Sequence, residues 1–299
     1  MQGHWKRQPW NKICGCACGS GVGAFSFGGI CKRCFDLTHY NKNIELNNYI
    51  DNNKLLENIN KKKIFTIFLC DILSLSNETI KIYENIQNDK VFVLTKVDIL
   101  PKNIKYESII RNIENSFKIK PLIFSYKNTK LKNNLFSLIE KHKKVLITGI
   151  VSSGKSTLIN TLFDENITVS HYRNTTLDFI EINKDNLTII DSPGFDTKVI
   201  TERSKNILKE KIINLKKGFE LTIDNISLYS DEDINICIFM PNLMVKTYKN
   251  KDKYKMVKIN NNTDLVFDNF FIYFKKGATI YLNNDSFNLR ESIIGKKYE

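Results

Sequence analysis

The sequence predicts an α/β fold with a parallel sheet, flanked by a cysteine-rich N-terminal segment and a small β-rich C-terminal domain. The strongest observation is a glycine-rich loop, GIVSSGKS at residues 149–156, which lies between the apolar strand KKVLIT and the helical segment STLINTLF. A second apolar strand, LTIID, ends in Asp191. From Glu220 onward, short apolar or alternating stretches such as ELTIDNISLY and ATIYL predict antiparallel strands.

Length and charge restrict the possible classes of protein. The 299 residues suffice for two or three small domains, and 45 Lys plus Arg against 32 Asp plus Glu give a formal net charge of +13. This excess favours an anionic partner such as nucleic acid, although a chain rich in Lys, Asn and Ile throughout gives a similar charge without one. No apolar run approaches the roughly 20 residues of a membrane span, and MQGHWKRQPWNK lacks the apolar segment of a secretory signal. We therefore expect a soluble, cytoplasmic protein without a membrane partner.

A group of cysteines near the N-terminus predicts a structural zinc site. Its members are Cys14, Cys16, Cys18, Cys31 and Cys34. In a reducing compartment such a cluster indicates a metal knuckle rather than disulfides. Cys31 and Cys34 form a regular CxxC pair, Cys18 precedes a glycine, and either Cys14 or Cys16 completes four thiolates. Residues 1–45 are thus expected to form a treble-clef-like zinc knuckle, with buried or redox-active thiols as the alternative.

The glycine-rich loop contains the residues needed to hold nucleotide phosphates. Gly149 and Gly154 allow the backbone to turn so that its amide N–H groups face the phosphates, where the following helix adds positive potential. Lys155 is expected to bridge the β- and γ-phosphates, and Ser156 to ligate magnesium. The predicted phosphate-binding residues are Gly149, Ser152, Ser153, Gly154, Lys155, Ser156 and Thr157.

Three further residues complete a predicted magnesium and γ-phosphate site. Asp191 ends an apolar strand, so its carboxylate is expected to hold magnesium through the hydration shell of the ion. The Gly194 amide follows shortly afterwards, where a γ-phosphate can order the next segment. Thr176, in YRNTTLDF, supplies a hydroxyl that can close over magnesium. The predicted magnesium ligands are Ser156, Thr176 and Asp191, and the predicted catalytic residues are Lys155 and Gly194.

Recognition of the base is assigned to VFVLTKVD, which precedes the glycine-rich loop in the chain. Thr95, Lys96 and Asp98 follow an apolar strand with the [NT]KxD spacing of a guanine-binding motif. The Asp98 carboxylate offers two acceptors to the N1–H and exocyclic amine of guanine, an arrangement that adenine leaves unpaired. Thr95 stands where an Asn is commoner, so weaker bracing of the base loop is expected. GTP or GDP is therefore the predicted nucleotide.

A further strand, PLIFSYK, is expected to bring Ser125, Tyr126 and Lys127 to the base. The motifs then follow the order base loops, phosphate loop and magnesium loops, which is a circular permutation of the usual GTPase order. In an open parallel sheet these loops gather at the carboxyl ends of the strands, so the site survives the permutation. The predicted fold class is thus α/β, a circularly permuted P-loop GTPase at residues 46–200 with an N-terminal zinc knuckle and a small C-terminal β-rich domain.

Residues 201–299 are predicted to form a C-terminal α+β domain with possible RNA binding. TERSKNILKEKIINLKK, residues 201–217, has the apolar spacing of a basic amphipathic helix. VKTYKNKDKYKMVK, residues 245–258, interleaves lysines with aromatic residues, which suits phosphate contact and base stacking. A solvated hairpin is the alternative interpretation of this second stretch.

Two longer phrases, ICKRCFDLTHYNK and VSHYRNTTLDFIEI, together with the motif order, resemble the YqeH family of circularly permuted ribosome-assembly GTPases. That family is related to the mitochondrial and plant nitric oxide-associated proteins, and the resemblance covers roughly residues 14–197. It implies a GTPase with a zinc knuckle, a C-terminal domain that binds RNA, and the small ribosomal subunit or its rRNA as partner. DNA is not an expected partner.

The chain departs from the family pattern at two functional positions. Ser152 occupies the place where family members carry an Asn linked to potassium binding, so potassium is an uncertain activator here. Phe195 follows Gly194 where Ras-like enzymes hold a water-orienting Gln, and a phenylalanine cannot align water. Hydrolysis is therefore expected to be slow until a partner, an ion or RNA contributes. The alternative is a GTP-regulated RNA-binding scaffold with negligible hydrolysis.

Overall fold

The computed structural model describes residues 25–26, 30–31, 51–162, 168–171, 179–184, 186–197, 206–242, 246–249 and 254–295. They form an α/β unit up to residue 197 and a β-rich unit from residue 206, preceded by a short antiparallel pair, β1 (Phe25–Ser26) and β2 (Ile30–Cys31). None of the described helices has the length and apolar character that crossing a membrane requires.

The α/β unit alternates helices with mostly parallel strands. Its helices are α1 (Asn52–Lys62), α2 (Asn77–Glu84), α3 (Tyr106–Phe117), α4 (Thr129–His142) and α5 (Lys155–Leu162), with a 3₁₀ helix at Val97–Ile99. Its strands are β3 (Thr66–Asp71), β4 (Lys90–Thr95), β5 (Leu122–Ile123), β6 (Lys144–Gly149), β7 (Thr168–His171), β8 (Ile180–Lys184) and β9 (Leu187–Asp191).

The strands form one seven-stranded sheet in the order β5-β4-β3-β6-β9-β8-β7. The first five are parallel, and β8 and β7 are antiparallel additions at one edge. All six residues of β3 are buried, since helices cover both faces of a parallel sheet and its central strands are continuously apolar. The predicted parallel α/β sheet is confirmed, and the carboxyl ends of β4, β6 and β9 lie along one edge.

Several helices begin at side chains that cap free backbone N–H groups. Asp51 accepts hydrogen bonds from the amides of Asn53 and Lys54 at the start of α1, and Ser76 accepts one from Thr79 at the start of α2. Asn128 caps α4 in the same way. These caps place the helix ends where the short loops to the neighbouring strands begin.

The β-rich unit is a sandwich of two five-stranded antiparallel sheets. Its strands are β10 (Lys209–Leu215), β11 (Phe219–Ile223), β12 (Ile226–Ser230), β13 (Ile234–Met240), β14 (Lys246–Lys249), β15 (Lys255–Ile259), β16 (Thr263–Val266), β17 (Phe271–Phe274), β18 (Ala278–Leu282) and β19 (Asn288–Glu291). One sheet has the order β10-β13-β17-β16-β19, and the other β14-β11-β12-β18-β15. Leucine and isoleucine side chains of both sheets share one buried core.

The sheet that contains β13 and β17 is buried on both faces. Ile236 and Ile238 of β13 point into the sandwich core, whereas Cys237 and Phe239 join a second cluster together with residues of the α/β unit. This explains why INICIFM is apolar at nearly every position instead of alternating with polar residues. The two units therefore pack against each other through one continuous apolar cluster.

The helix predicted for residues 201–217 is wrong where the structure describes it. Residues 209–215 form β10, which pairs with β13 from Lys209↔Met240 to Leu215↔Ile234. The lysine and isoleucine spacing fits an edge strand as well as a helix, and seven paired residues override the weak helical preference of adjacent isoleucines. Within 206–242, 246–249 and 254–295 the unit contains strands and no α-helix, so β-rich replaces α+β for these residues.

The lysine- and aromatic-rich stretch at 245–258 is not a hairpin. Its described parts, β14 and β15, lie at opposite edges of one sheet, where β14 pairs with β11 and β15 pairs with β18. The two strands therefore do not pair with each other. The sequence alone did not indicate this arrangement, because two short basic strands close together in the chain normally pair.

Candidate nucleotide-binding site

The phosphate loop connects the end of β6 to the start of α5. Gly149 has φ 147°, and a Cβ there would lie 2.0 Å from the carbonyl oxygen of Leu69 in the neighbouring strand. Gly154, with φ 95°, occupies the backbone region that favours glycine at the other end of the loop. Both glycines are therefore required by the local backbone, as the loop motif predicts.

Ser152 adopts φ 64° within this loop, a left-handed conformation that Asn tolerates better than Ser. Ser153 is buried, and its amide donates to the carbonyl of Ile150 at 3.1 Å. Ser156 and Thr157 are exposed in the first turn of α5. The hydroxyl of Ser156 thus stands at a helix N-terminus, where anions and their cations bind.

Lys155 and Asp191 are both largely buried and interact electrostatically. Burial lowers the pKa of Lys155, and the nearby Asp191 carboxylate raises it. Burial likewise raises the pKa of Asp191 to about 6, an increase that Lys155 and the Ser192 amide reduce. Among the described residues Asp191 Oδ1 is buried without a hydrogen-bond partner. An unsatisfied carboxylate oxygen on a strand next to the one that leads into the phosphate loop fits magnesium, a hard cation that takes oxygen ligands.

Replacing Asp191 with Asn is expected to stabilise the nucleotide-free protein by about 3 kcal/mol near neutral pH. Because the folded-state pKa of Asp191, about 6, lies above the usual aspartate value of 3.8, the charged carboxyl destabilises the folded state at high pH. As pH falls below about 6 the wild-type carboxyl takes up a proton in the folded state, so the advantage of the variant shrinks, and it vanishes only below 3.8, where the unfolded state is protonated as well. Urea unfolding of both proteins at about pH 7.5 and pH 4.5 measures this, and equal differences at the two pH values would contradict it.

The segment after Asp191 is attached to the phosphate loop. The Phe195 amide donates to the Gly149 carbonyl at 2.9 Å, and the Val151 amide donates to the Phe195 carbonyl at 3.0 Å. A Cβ on Gly194 would lie 3.0 Å from Lys155 Nζ, so this backbone approaches the amine closely. The Gly194 backbone therefore lies beside the group predicted to hold the γ-phosphate.

The Phe195 ring is directed into the core. It is fully buried, and its centroid lies 6.1 Å from that of Phe68. The next residue, Asp196, is held by Asn52 of α1, whose side-chain amide donates to the Asp196 carbonyl at 2.7 Å and accepts from its amide at 3.1 Å. Sequence reasoning missed Asn52, because an Asn in a first helical turn carries no signal of such a distant partner.

Thr95 connects the base loop to the phosphate loop. Its hydroxyl, at the carboxyl end of β4, donates to the Ser153 carbonyl at 2.6 Å. The sequence predicts weaker bracing of the base loop by Thr95 than by the Asn that is commoner at this position. In the structure the Thr95 hydroxyl reaches the phosphate loop directly. The motifs predicted for the base and for the phosphates therefore meet at one edge of the sheet.

Replacing Thr95 with Val is expected to lower GTP affinity about tenfold, since a buried carbonyl would lose its hydrogen bond, a loss of about 1–2 kcal/mol. Valine keeps the shape of the side chain, so the buried packing is retained. Titration with fluorescent GTP measures the change. Thr188→Val, near the start of β9 at the end opposite the phosphate loop, removes a hydroxyl that donates to Asn183 and is the matched control. An unchanged affinity in Thr95→Val would show that the connection is unimportant.

Asp98, the last residue of the base motif, lies in the 3₁₀ helix at Val97–Ile99. The Ser125 hydroxyl donates to Asp98 Oδ1 at 3.4 Å, and Lys127 Nζ lies 3.0 Å from Asp98 Oδ2. The hydrogen bond to Asp98 raises the pKa of Lys127. Tyr126 is 47 % exposed beside them. Two of the three residues predicted from PLIFSYK, Ser125 and Lys127, thus contact the predicted guanine acceptor, whereas the Tyr126 ring lies beside Lys127. A base must displace Lys127 to reach both carboxylate oxygens.

Asp71 is a buried residue of this edge that the sequence analysis did not use. At the end of β3, its Oδ1 accepts from the amides of Leu73 and Ser74, and its Oδ2 accepts from the Ser74 hydroxyl at 2.6 Å. Lys96 Nζ lies 3.8 Å from the same Oδ2. An apolar strand that ends in Asp was the available signal, because the same pattern led to Asp191.

Several predicted ligands lie outside the described residues. They are Thr176, Cys14, Cys16, Cys18 and Cys34. Cys31 lies in β2, for which the backbone alone is described. The described part of the chain contains no group of three or more metal-binding side chains, and this part excludes most of the cysteine cluster. The zinc knuckle therefore remains a prediction.

Two family models match this chain. Residues 71–200 match the model described as RsgA GTPase, and residues 144–262 match the model described as 50S ribosome-binding GTPase. No curated protein matches the chain. The first match includes the base, phosphate and magnesium motifs in their permuted order, and the second continues beyond the parallel sheet into the β-rich unit. Together they support a circularly permuted GTPase domain that binds and hydrolyses GTP.

Proposed function

We propose that this chain is a GTP-binding and GTP-hydrolysing factor in assembly of the small ribosomal subunit, of the type represented by the YqeH family. The observation that carries the proposal is the bond from Thr95 to Ser153, because it connects a guanine-type base loop to a phosphate loop that follows it in the chain. The match to the RsgA GTPase model over residues 71–200 supports a ribosome-associated role.

The nucleotide would bind along the carboxyl edge of the parallel sheet. Asp98 would accept from guanine, Lys155 would hold the β- and γ-phosphates, and the Gly194 amide would approach the γ-phosphate. Ser156 and Asp191, with Thr176 as a further candidate, would hold magnesium. The ion, when bound, neutralises phosphate charge, whereas the residues of the chain bind, orient and exclude water.

Intrinsic hydrolysis would be slow. The buried Phe195 ring provides no group that can orient an attacking water, so a partner or an ion must supply this function. Ser152 offers a hydroxyl where potassium-dependent relatives of the proposed type carry an Asn. A hydrolysis assay in potassium and in sodium, with Ser152→Asn beside the wild-type protein, measures whether potassium contributes.

The outer face of the β14-β11-β12-β18-β15 sheet supports contact with RNA. Tyr229 and Tyr281 are cross-strand neighbours on this face, with ring centroids 4.6 Å apart. Met256 pairs with Tyr281 and is 64 % exposed, and Lys258 is exposed on the same strand. Aromatic rings beside lysines suit base stacking combined with phosphate contact.

Co-sedimentation with purified ribosomal subunits tests this function. We expect the protein to sediment with small subunits, and more strongly with a non-hydrolysable GTP analogue than with GDP, or the reverse, because the nucleotide state would control release. Large subunits belong in the same experiment, since one matching family is described as 50S ribosome-binding. Equal binding in both nucleotide states, or selective binding to large subunits, would contradict the proposal. Zinc content measured on the same protein tests the cysteine knuckle, and cell fractionation tests the cytoplasmic location.

A GTP-regulated RNA-binding scaffold with negligible hydrolysis is the second candidate. Phe195 and Ser152 both favour it, because neither residue supplies what fast hydrolysis requires. Turnover measured with and without small subunits separates the two functions. Stimulated turnover supports the GTPase cycle, whereas GTP binding without turnover under every condition supports the scaffold.

A further inference from the structure

We propose that Arg290, in the β-rich unit, is a positioning residue for guanine recognition, so that the β-rich unit controls how selectively the base loop binds its nucleotide. This inference rests on the proposed GTP-binding function. It differs from it in assigning a role in the base site to a residue of β19, far from the nucleotide motifs in the sequence.

Arg290 connects the two units from a fully buried position. Its Nε donates to Asp264 Oδ2 at 3.2 Å, within the β-rich unit. Its Nη1 donates to the carbonyls of Ile72 at 2.5 Å and Leu75 at 3.3 Å, in the loop after β3 of the α/β unit. One guanidinium group therefore holds a carboxylate of one unit and two backbone carbonyls of the other.

The loop held by Arg290 is also held by Asp71, which reaches the base motif. Asp71 accepts from the Leu73 and Ser74 amides and lies 3.8 Å from Lys96 Nζ. Lys96 Nζ is buried and has no hydrogen-bond partner among the described residues, so the Asp71 carboxylate is the charge that favours its position. The path from Arg290 to the base motif therefore passes through one short loop and one buried carboxylate.

A second connection reaches the 3₁₀ helix that contains Asp98. The amide of Leu208, just before β10, donates to the carbonyl of Ile99 at 2.6 Å. Side chains from both units form one apolar cluster behind this helix, including Val97, Ile99, Leu100, Phe239, Tyr273 and Ile293. Both sides of the base motif are thus supported by the β-rich unit.

Burying the charged guanidinium group of Arg290 costs desolvation free energy, so stability alone does not account for it. Well-packed apolar residues in place of a buried ion pair are often as stable or more stable, whereas the pair specifies one arrangement of the groups around it. The guanidinium fork also holds several acceptors at once, which a lysine ammonium cannot reproduce. The physical role that remains for Arg290 is to hold residues 72–75, and through Asp71 the base motif, in one position.

Arg290→Lys is the principal test. It keeps the charge beside Asp264 but loses the simultaneous bonds to Ile72 and Leu75. Dissociation constants are measured for GDP and for IDP, whose base lacks the exocyclic amine that Asp98 reads. In the variant we expect the preference for GDP over IDP to fall at least about threefold. This preference measures the hydrogen bond from the exocyclic amine of guanine to Asp98, and that bond weakens when Asp98 is less well positioned. The ratio of GTP to GDP affinity should stay constant, since it reports the phosphate end.

The control is Lys216→Gln, which breaks an exposed ion pair with Asp233 on the same unit and should leave all ratios unchanged. A folded Arg290→Lys protein with the wild-type GDP:IDP preference would overturn the inference. If that variant does not fold, the double variant Arg290→Gln and Asp264→Asn removes both buried charges. Its GDP:IDP preference then tests the inference, and a wild-type value would overturn it.

Hydrogen exchange of the wild-type protein provides a measurement that needs no variant. GDP should slow exchange of amides at 72–75 and 290–294 as well as at 96–99. Protection limited to the base and phosphate loops would overturn the inference even though GDP binds. Failure of wild-type protein to bind GDP at all would instead overturn the proposed function, so the two failures are distinguishable.

Discussion

Asp98→Asn is expected to weaken GTP binding by about 100-fold or more and to shift the nucleotide preference towards XTP. The Asp98 carboxylate would accept from the N1–H and the exocyclic amine of guanine, and hydrogen bonds to a charged group contribute about 1.5–3 kcal/mol each. An Asn amide provides one acceptor and one donor, which leaves the guanine amine facing another donor. Xanthine carries a carbonyl at that position, so it can accept from the Asn side chain.

Competition between labelled GTP and unlabelled GTP, XTP or ATP measures this exchange of specificity. The structure offers a matched control in Asp89→Asn, which makes the same chemical change just before β4, at the other end of the strand from the base motif. Asp89 is exposed, and its variant should bind like the wild-type protein. Wild-type GTP affinity in Asp98→Asn would remove Asp98 from the site and with it the permuted arrangement proposed here.

Lys155→Met is expected to lower GTP affinity by about 100-fold or more and to abolish detectable hydrolysis. Two charge-assisted bonds to the β- and γ-phosphates are lost, about 3 kcal/mol in total. The nucleotide-free protein should keep its stability, because burial already lowers the pKa of Lys155, which means that the ammonium is poorly solvated there. A binding defect without unfolding is therefore the diagnostic result.

Thermal unfolding without nucleotide and GTP titration of the same samples separate binding from folding. Lys144→Met is the control, since Lys144 begins β6 at the end opposite the phosphate loop and makes a half-exposed ion pair with Glu181. Its GTP affinity should match that of the wild-type protein. A Lys155→Met protein that hydrolyses GTP at the wild-type rate would exclude Lys155 from catalysis.

The sequence was sufficient for the parallel sheet and for most of the loop positions around the nucleotide. Residues 145–149 of β6 and 187–191 of β9 are mostly apolar, and the two strands end in Gly149 and Asp191. Both the apolar pattern and the residue that ends it therefore indicate where these strands stop. Ser125, Thr95 and Asp98 could be assigned because each lies at a strand end in a fixed motif. Their mutual contacts follow from sheet geometry, which places these ends along one edge.

Long-range polar contacts could not be predicted in this way. Arg290 and Asn52 bond to backbone groups far away in the chain, and a backbone acceptor leaves no trace in the sequence of its partner. The strand at 209–215 was assigned as a helix because isoleucines at mixed spacing satisfy both periods, and pairing with β13 decides between them. The competition between Lys127 and guanine for Asp98 was likewise visible only once both side chains had positions.

The sheet of β13 and β17, apolar on both faces, affects how the chain can be divided. Dividing the chain near residue 200 into separate fragments would expose both halves of the shared cluster to water, Ile99 on the first fragment and Phe239 and Phe271 on the second, and such surfaces promote aggregation. A single proteolytic cut between residues 197 and 206 leaves those surfaces covered, so both pieces should co-elute in gel filtration and separate only in denaturant. Elution of the cut pieces at separate volumes would contradict this. Expression trials of this protein should accordingly retain the two halves in one polypeptide.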